Sequence, residues 1–357
     1  MIIGLHSKNR HPKEAAMTFY RGIDLHSKKS HVCVIDKDGK KVKEENLNND
    51  LALILQFLKP FGKDVHIAIE STINWYWIVD GLQEAGYDVK LAHTLGLYMI
   101  TGAKVKTDRR DAFKLAKLLR MGEIPEAYIY PKEKRPLKDL LRRRAGLVQQ
   151  RAECYSSLRV QFMKYNLNTM SGTEVKQLLP SDFDIMPIPQ ELKDYCTMIL
   201  QRIELLSDQI SELNTYLQKV TLEDPKFKIL LTLPGVLYVL GLTIYYEIGD
   251  IGRFDGVRQF ASYCRLVPGI SQSSDKVKRG KGSNQGNHYL KWAFTKAASL
   301  AVRYYPTLRK FRDKHANRRK GNAATMVANC ILAHKIAIAT FHMMKEGVPF
   351  DEVKLFG

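Results

Sequence analysis

The chain has 357 residues, 45% of them hydrophobic, and its 56 Lys and Arg against 37 Asp and Glu residues give a formal net charge of +19 at pH 7. The length allows two domains with a connector, and the charge predicts an anionic polymer as the partner. The five cysteines are widely separated, which excludes a zinc site of C-x-x-C spacing and a disulfide framework and fits the reducing cytoplasm. Residues 1–17 lack the apolar run of a signal peptide, and no stretch of about 18 uncharged apolar residues predicts a membrane span.

The first 17 residues are expected to be a disordered extension, and residues 18–130 predict an α/β domain. The order β-β-β-α-β-α-β-α, an antiparallel meander followed by alternating strands and helices, is that of an RNase H-like domain. Asn49 is the predicted N-cap of the first helix and Thr107 that of the last. The predicted strands are 19–24, 31–36, 41–47, 65–70 and 88–92, and the predicted helices are 50–58, 75–85 and one that begins at Asp108.

Four acidic residues occupy the ends of these elements. Asp24 ends the first predicted strand, Glu70 ends the fourth, and Asp108 and Asp111 open the last helix. Asp111 shares a helical stripe with Leu115, so the pair is expected to face inward. Inward carboxylates repel each other unless a cation lies between them. Four hard oxygen donors suit Mg²⁺ or Mn²⁺, and two such ions about 3.5–4 Å apart promote phosphodiester cleavage.

Each of these acids alone has a simpler interpretation. An acid at a strand end is usually a solvated turn residue, and acids are common in the first turn of any helix. The set of four in this element order favours the metal site. His26 and Lys28, in the turn after the first strand, are predicted to be surface residues or phosphate contacts.

Residues 131–225 predict a helical connector. Arg142, Arg143 and Arg144 lie on a basic helix whose charges either form a solvated face or contact a nucleic-acid backbone. Residues 166–189 are rich in Ser, Thr, Gly and Pro and predict a loop. An unbroken 4-3-4-3 spacing then predicts a coiled coil, which pairs either with the Arg142 helix or between subunits. Its apolar positions are Leu192, Cys196, Ile199, Ile203, Leu206, Ile210, Leu213, Leu217 and Val220.

Residues 226–357 predict a mainly α-helical domain. The tetrapeptide LPGV at 233–236 is either a plain helix–helix turn or a helix-hairpin-helix contact to phosphate. Residues 267–286 show no hydrophobic periodicity and predict a long loop, in which hydroxyls beside cations suit phosphate binding or a serine nucleophile. The predicted nucleic-acid contacts of this region are Lys276, Lys278, Arg279, Lys281, Arg318 and Arg319.

Several motifs, taken in order, resemble those of the DEDD-type transposases, which are bridge-RNA-guided insertion-sequence recombinases related to the Piv-type DNA invertases. The resemblance extends from about residue 19 to residue 351. The matching segments are YRGID at 20–24, IEST at 69–72, KTDRRDA at 106–112, LPGV at 233–236, FASY at 260–263, LVP at 266–268, QS at 272–273, QG at 285–286 and LKW at 290–292.

The resemblance implies a RuvC-like N-terminal domain in which Asp24, Glu70, Asp108 and Asp111 bind Mg²⁺. It also implies a C-terminal transposase domain whose serine nucleophile, here Ser273, forms a covalent link to DNA. The implied partners are double-stranded DNA of the element ends and target, a noncoding guide RNA, and further copies of the chain in a dimer or tetramer.

The chain departs from the family pattern at three segments. Residues 71–76 read STINWY and lack the glycine of the family's Thr-Gly-x-Tyr run. Ser274 and Asp275 stand where the family prefers glycines, which leaves the nucleophile open between Ser273 and Ser274. Residues 280–284 read GKGSN in place of Gly-Arg-Ile-Thr-Lys. Two alternatives remain: a RuvC-like structure-specific nuclease that uses water, and a non-catalytic nucleic-acid-binding protein.

Overall fold

The computed structural model describes residues 18–63, 66–101, 108–167, 170–220, 223–273, 276–280, 285–321 and 323–356. The side chains of residues 101, 108, 270–273, 276–280 and 356 are not part of this description. The expected extension at 1–17 and the predicted N-cap Thr107 also lie outside the described residues. The chain divides into two units, Met1–Lys132 and Glu133–Gly357, so the predicted connector shares a unit with the C-terminal region.

The first unit is a mixed α/β structure, and its described part follows the predicted element order. Its elements are β1 (Tyr20–Leu25), β2 (Lys29–Ile35), β3 (Lys41–Asn48), α1 (Leu51–Leu58), β4 (Ile67–Glu70), α2 (Tyr76–Glu84), β5 (Val89–Ala92), α3 (Thr94–Thr101) and α4 (Asp108–Met121). The short helix α3 lies between β5 and α4, where the sequence predicts a loop or a short helix. The five-stranded sheet has the order β3-β2-β1-β4-β5. The first three strands are antiparallel, whereas β4 runs parallel to β1 and β5 parallel to β4.

The two faces of this sheet differ in side-chain size, because alternate residues of a strand point to opposite faces. Large apolar residues such as Ile23 and Ile69 pack in a core that includes residues of α1 and α2. The other face has small residues such as Cys33 and Ala68 beside Ile35, and a Cβ added to Gly22 on this face would lie 2.0 Å from the Ala112 carbonyl oxygen. Helix α4 therefore lies directly on the backbone of β1.

The direction of α4 follows from its far end. Arg120, in the last turn, donates a hydrogen bond of 3.2 Å to the carbonyl oxygen of Lys37, which lies between β2 and β3. That connection is at the start of β1, since Tyr20 pairs with Ile35. The first turn of α4 therefore points toward the opposite end of β1, where Asp24 lies.

The first helix begins one residue later than predicted. Asp50, not Asn49, is the N-cap, and its Oδ1 accepts from the backbone N–H of Ala52 at 2.8 Å. Asn49 has a different role, since its Oδ1 accepts from the Ser30 hydroxyl and its amide donates to the carbonyl oxygen of His26. The prediction of an Asn49 cap was therefore wrong.

The second unit is mostly helical. Its described elements are α5 (Arg135–Lys164), α6 (Gln190–Lys219), α7 (Pro225–Leu230), α8 (Tyr238–Ile248), α9 (Val257–Tyr263), β6 (Gly269–Ser273), β7 (Lys276–Gly280), α10 (His288–Tyr304), α11 (Pro306–Asn317), α12 (Ala324–Glu346) and α13 (Glu352–Phe356). Gly235 has a φ of +74°, and a Cβ there would lie 2.2 Å from the Ala297 carbonyl oxygen of α10. This buried contact favours the plain helix–helix turn at 233–236.

Helices α5 and α6 form an antiparallel pair within the chain. Arg144 on α5 donates to Asn214 on α6 at 2.8 Å, and Arg151 donates to Ser207 at 3.0 Å. The buried residues of the predicted seam are Cys196, Ile203, Leu206, Ile210 and Leu217. The segment between the helices is not a bare loop, because it contains short 3₁₀ turns and buries Val175 and Phe183.

One described helix, Ala324–Glu346, is long and apolar enough to cross a membrane by length and composition. Its residues Leu332, Ile336 and Phe341 belong to the core cluster of the second unit. The same composition is found in the core helices of folded domains, and we interpret α12 as one of these.

Candidate active site

Asp24 and Glu70 lie side by side at the ends of two parallel strands. The register pairs Ile23 of β1 with Ile69 of β4, so the two acids follow at adjacent positions on strands about 4.8 Å apart. Both share the face of Gly22, which α4 covers. Asp24 is 3% exposed and Glu70 is half-buried.

Helix α4 contributes Asp111 to the same end of β1. Asp111 immediately precedes Ala112, the residue in contact with Gly22, and its Oδ1 accepts from Lys114 Nζ at 3.2 Å. Its Oδ2 is buried and has no hydrogen-bond partner among the described residues. Asp108 is the first residue of α4, three positions away, but its side chain lies outside the description.

The donor chemistry of these acids fits a divalent cation. Carboxylate oxygens are the donors that Mg²⁺ and Mn²⁺ prefer, and the buried Asp111 Oδ2 is an acceptor that such an ion would satisfy. Among the described side chains, which do not include that of Asp108, no three His, Cys, Asp or Glu residues are grouped closely enough to hold one ion. The structure thus brings three of the predicted acids to one end of the sheet without a closed cluster.

The turn after β1 is held by contacts that the sequence did not mark. His26 Nε2 lies 3.2 Å from Asp24 Oδ2. The carbonyl oxygen of His26 accepts from the side-chain amides of Asn49 and Asn74, at 2.8 and 3.0 Å. Asn74 belongs to the segment STINWY at 71–76, and its amide thus joins that segment to the turn that follows Asp24. Lys28, in the same turn, is exposed and remains a predicted phosphate contact.

The first turn of α4 is tied to the edge strand β3. Arg109 pairs with Glu44 Oε1, and Lys41 pairs with Glu44 Oε2. Burial acts against the charge of Glu44, but the hydrogen bonds from Lys41 and Arg109 outweigh it and hold the pKa of this carboxyl below its usual value. Glu44 therefore anchors the turn that contains Asp108 and Asp111.

The segment predicted as a long loop forms a hairpin, which we call the serine hairpin and define as β6 and β7. Ser271 pairs with Lys278, and Ser273 pairs with Lys276. The prediction of an irregular loop was wrong for these residues, because backbone hydrogen bonds pair the strands without an apolar pattern. Ser274, Asp275 and residues 281–284, which include the predicted contact Lys281, lie outside the described residues.

The predicted nucleic-acid contacts on α5 have different surroundings. Arg143 is exposed. Arg144 donates to Asn214, and burial, with the nearby charge of Arg151 adding to it, lowers its pKa. Arg142 forms a bidentate ion pair with Glu247, with Nε–Oε1 and Nη2–Oε2 distances of 2.6 and 2.8 Å. Of the three arginines, only Arg143 therefore has the surroundings of a free phosphate contact.

Two further predicted contacts of the second unit are exposed, and for three others the structure describes the backbone only. Arg318 and Arg319 follow α11 and are exposed to solvent. Lys276, Lys278 and Arg279 stand in β7, and their side chains are outside the description. The exposed pair is thus the best-defined candidate surface for nucleic acid in this unit.

Glu247 is the functional candidate that sequence analysis missed in the second unit. It is 2% exposed and accepts hydrogen bonds from Arg142 and, at 2.7 Å, from the amide of Asn287. Burial acts against the charge of Arg142, but the hydrogen bonds to Glu247 and the charge of Glu247 raise the pKa of Arg142 above its usual value. The signal for Glu247 in the sequence was that it is the single acid in the apolar run of α8. An acid buried in such a run requires a charged or hydrogen-bonding partner elsewhere in the chain.

Both units match known transposase domains. A family model described as Transposase, of the DEDD IS110 type, matches residues 21–166, and another described as Transposase IS116/IS110/IS902 family matches residues 227–313. One match covers the acid-bearing α/β unit together with α5, and the other lies within the helical unit. These matches define the class of the chain, a DNA transposase. The chain belongs to the IS110 family of insertion-sequence transposases.

Individual relatives agree with this assignment. The transposase of insertion sequence element IS1328 from Yersinia enterocolitica is 20% identical over 93% of this chain and 98% of its own length. The transposase of IS1533 from Leptospira borgpetersenii is 23% identical over 69% of this chain and 75% of its own length. The y4qE protein of Sinorhizobium fredii, described as a transposase, is 27% identical, and the match spans about half of it, 51%.

Proposed function

We propose that this transposase cuts and rejoins DNA at the ends of its insertion sequence and at a target site, with Mg²⁺ or Mn²⁺ held by Asp24, Glu70, Asp108 and Asp111. The main support is the strand register that makes Asp24 and Glu70 neighbours on the face covered by α4. The order β3-β2-β1-β4-β5 supports an RNase H-like, RuvC-like domain over residues 18–130. The α6 seam supports a coiled-coil connector at 131–225, ahead of a transposase domain at 226–357.

The acids and the serine have separate tasks in this proposal. A bound divalent cation would neutralise charge on the phosphate oxygens of the cleaved strand. Asp24, Glu70, Asp108 and Asp111 would hold it at one end of the sheet. Attack by the serine oxygen on phosphorus forms a serine–phosphate ester and releases a deoxyribose hydroxyl, and a hydroxyl of a second strand reverses the step.

Ser273 is favoured over Ser274 as the nucleophile. Ser273 is the last paired residue of β6, and a residue held by a regular element is placed accurately. Its register partner is Lys276, and a residue of this cationic type opposite the serine suits an attack on phosphate.

The charge supports nucleic acid as the partner. The net charge of +19 and the exposed Lys28, Arg143, Arg318 and Arg319 support binding of double-stranded DNA and of a noncoding guide RNA from the element. The family resemblance supports assembly as a dimer or tetramer in the cytoplasm of a prokaryotic cell.

The serine is tested by trapping the protein on DNA. The full chain is incubated with Mg²⁺, a duplex of the element's own end and the structured RNA transcribed beside its gene, and denaturing gels are examined for protein linked to DNA. We expect a linked band that Ser273→Ala removes and Ser274→Ala retains. Cleavage without any linked band would instead identify a nuclease that uses water.

The acids are tested by isosteric amides. Asp24→Asn and Asp111→Asn are expected to lower strand cleavage at least about a hundredfold, because neutral amides hold divalent cations weakly. The matched control is Asp38→Asn, an exposed acid in the turn between β2 and β3, which is expected to cleave normally. Full DNA chemistry in both Asp24→Asn and Asp111→Asn would reject the metal site and favour a protein that only binds nucleic acid.

A further inference from the structure

Three elements of the second unit meet at the carboxylate of Glu247. Arg142 of α5 donates to both of its oxygens, and the side-chain amide of Asn287 donates to Oε2 at 2.7 Å. Glu247 itself belongs to α8 and is 2% exposed. A carboxylate removed from water in this way is stable only while such donors remain. We call Arg142, Glu247 and Asn287 the Glu247 network.

Asn287 is the residue at which the chain passes from the region of the serine hairpin into α10. Its side-chain oxygen accepts from the backbone N–H groups of Tyr289 and Leu290, at 2.9 and 3.1 Å, and so caps the helix. Its backbone N–H donates to the carbonyl oxygen of Tyr263 at 2.6 Å. With its amide on Glu247, the residue is fixed from three directions, and it is 7% exposed.

The entry to the serine hairpin is fixed on the same turn of α9. Arg265 has a positive φ of 56°, and its N–H donates to the carbonyl oxygen of Ser262 at 2.9 Å. At the exit, Gly286 has a φ of +99°, and a Cβ there would lie 2.5 Å from the Tyr263 carbonyl oxygen. Both chain ends of the region thus rest on the last turn of α9, and the exit has an additional side-chain anchor.

We propose that Glu247 is a positioning residue for the serine hairpin: through Asn287 it fixes the point after β7 at which the chain enters α10, and Arg142 neutralises the buried charge of Glu247. This inference rests on the proposed function, because it matters for chemistry only if a serine of this hairpin attacks DNA. A nucleophile must be held within about 0.5 Å of its productive position, and a misplacement of about 1 Å lowers the rate about a hundredfold. An anchor where the chain leaves the region of the hairpin contributes to that accuracy.

The network offers a substitution that removes the anchor and keeps the helix cap. Asn287→Asp retains an oxygen for the N-terminus of α10, where Asp is a good cap. It removes the amide donor and sets a second carboxylate against Glu247. The double variant Glu247→Gln with Asn287→Asp reverses the polarity of the hydrogen bond, because the new amide donates to the new carboxylate. It also leaves one carboxylate for Arg142.

Two measurements on the full chain separate the anchor from the chemistry. The first is the rate of tryptic cleavage after Lys278 and Arg279 in the folded protein, which requires local opening of the hairpin and involves no DNA. The second is the yield of serine-linked DNA with the duplex and RNA described above. Asn48→Asp, at an exposed position at the end of β3, is the control for the change in charge.

We expect Asn287→Asp to raise tryptic cleavage about tenfold and to lower the yield of linked DNA by about tenfold to a hundredfold. The double variant is expected to recover most of both losses, and Asn48→Asp to behave as the unaltered chain. An unchanged rate of tryptic cleavage in Asn287→Asp would show that Asn287 does not anchor the hairpin. Faster tryptic cleavage with an undiminished yield of linked DNA would overturn the positioning role of Glu247. So would a double variant that recovers neither the resistance to trypsin nor the yield of linked DNA. The unaltered chain could also form no linked DNA while tryptic cleavage responds to the substitutions as expected. In that case the proposed serine chemistry is wrong, and only the structural role of Glu247 as an anchor is supported.

Discussion

Gly22 on β1 touches the backbone of α4 at Ala112: a Cβ on Gly22 would lie 2.0 Å from the Ala112 carbonyl oxygen and 2.7 Å from the Ala116 nitrogen. Backbone atoms cannot move aside as a flexible side chain can. The closeness of this helix to the sheet therefore depends on the missing side chain, and so does the distance of Asp111 from Asp24.

Gly22→Ala is expected to push α4 away from the sheet and to lower the free energy of unfolding by about 1–3 kcal/mol or more. Urea denaturation measures the change, and strand cleavage is expected to fall with it. Gly146→Ala in α5 is the control, since no atom lies within 4 Å of its added Cβ. In a helix this change is expected to stabilise by about 0.5–1 kcal/mol. Equal effects of the two substitutions would refute the steric argument.

Glu44→Gln is expected to loosen the first turn of α4, because the charge that holds Arg109 is lost. The pair is exposed on the Arg109 side, where 68% of the side chain is accessible, so the effect is small. We expect amide hydrogen exchange of residues 109–113 to accelerate about twofold to fivefold, the range of a weak surface ion pair. Glu45→Gln, whose partner Lys43 lies 4.0 Å away, is the control. Identical exchange in both variants would disprove the anchoring role of Glu44.

Lys138 predicts a pH dependence of stability. Burial, and next the charge of Arg142, lower its pKa to about 8, although Glu247 and Asp139 act in the opposite direction and Arg253 in the same one. A lysine with a lowered pKa in the folded state binds its proton more weakly than in the unfolded chain. Its contribution therefore makes the free energy of unfolding rise with pH between about 8 and 10.4, the ordinary lysine pKa.

Lys138→Met removes the free-energy cost of burying the lysine charge. At pH 7 the variant is expected to exceed the unaltered chain in free energy of unfolding by roughly 1–3 kcal/mol, and the difference should shrink as the pH approaches 10. Urea denaturation across this pH range measures it. Lys164→Met, at an exposed position on the same helix, controls for the loss of one surface charge. A difference that does not vary with pH would contradict the buried titration.

Arg318 and Arg319 predict the salt dependence of DNA binding. Each phosphate contact that is lost lowers the slope of log K against log salt by about 0.9. The double variant Arg318→Gln with Arg319→Gln is therefore expected to flatten the slope by about 1.8, measured by fluorescence anisotropy with duplex DNA. Arg202→Gln with Lys219→Gln, two exposed cations of α6, removes the same charge elsewhere. Equal slopes in both double variants would exclude a specific contact at 318–319.

The first unit was largely predictable because its signals are local. Alternating apolar residues marked its strands, and the acids at 108 and 111 marked the start of α4. The order of strands in the sheet was not written in these patterns, since it depends on which backbones pair. Asn49 illustrates the limit: it is as good a cap as Asp50, and only its tertiary contacts with Ser30 and His26 decided between them.

The second unit was less predictable because its key contacts join distant segments. The pairing of Arg142 with Glu247 spans 105 positions, and a basic helix on its own suggested contact with nucleic acid. The serine hairpin has few apolar residues, and its strands are defined by backbone pairing alone. The seam of α6 was clear from its spacing, yet its partner in the same chain emerged only from contacts such as Arg144–Asn214.

The base of the serine hairpin is built largely from main-chain atoms. Arg265, Leu266 and Asn287 all donate backbone N–H groups to carbonyl oxygens of residues 261–263. These main-chain hydrogen bonds do not depend on the side chains of the residues between Leu266 and Asn287. The sequence of that segment can therefore change during evolution while its two ends stay in place. Descendants of one ancestral enzyme can therefore diverge in the residues around the serine while both ends of the segment stay on the last turn of α9.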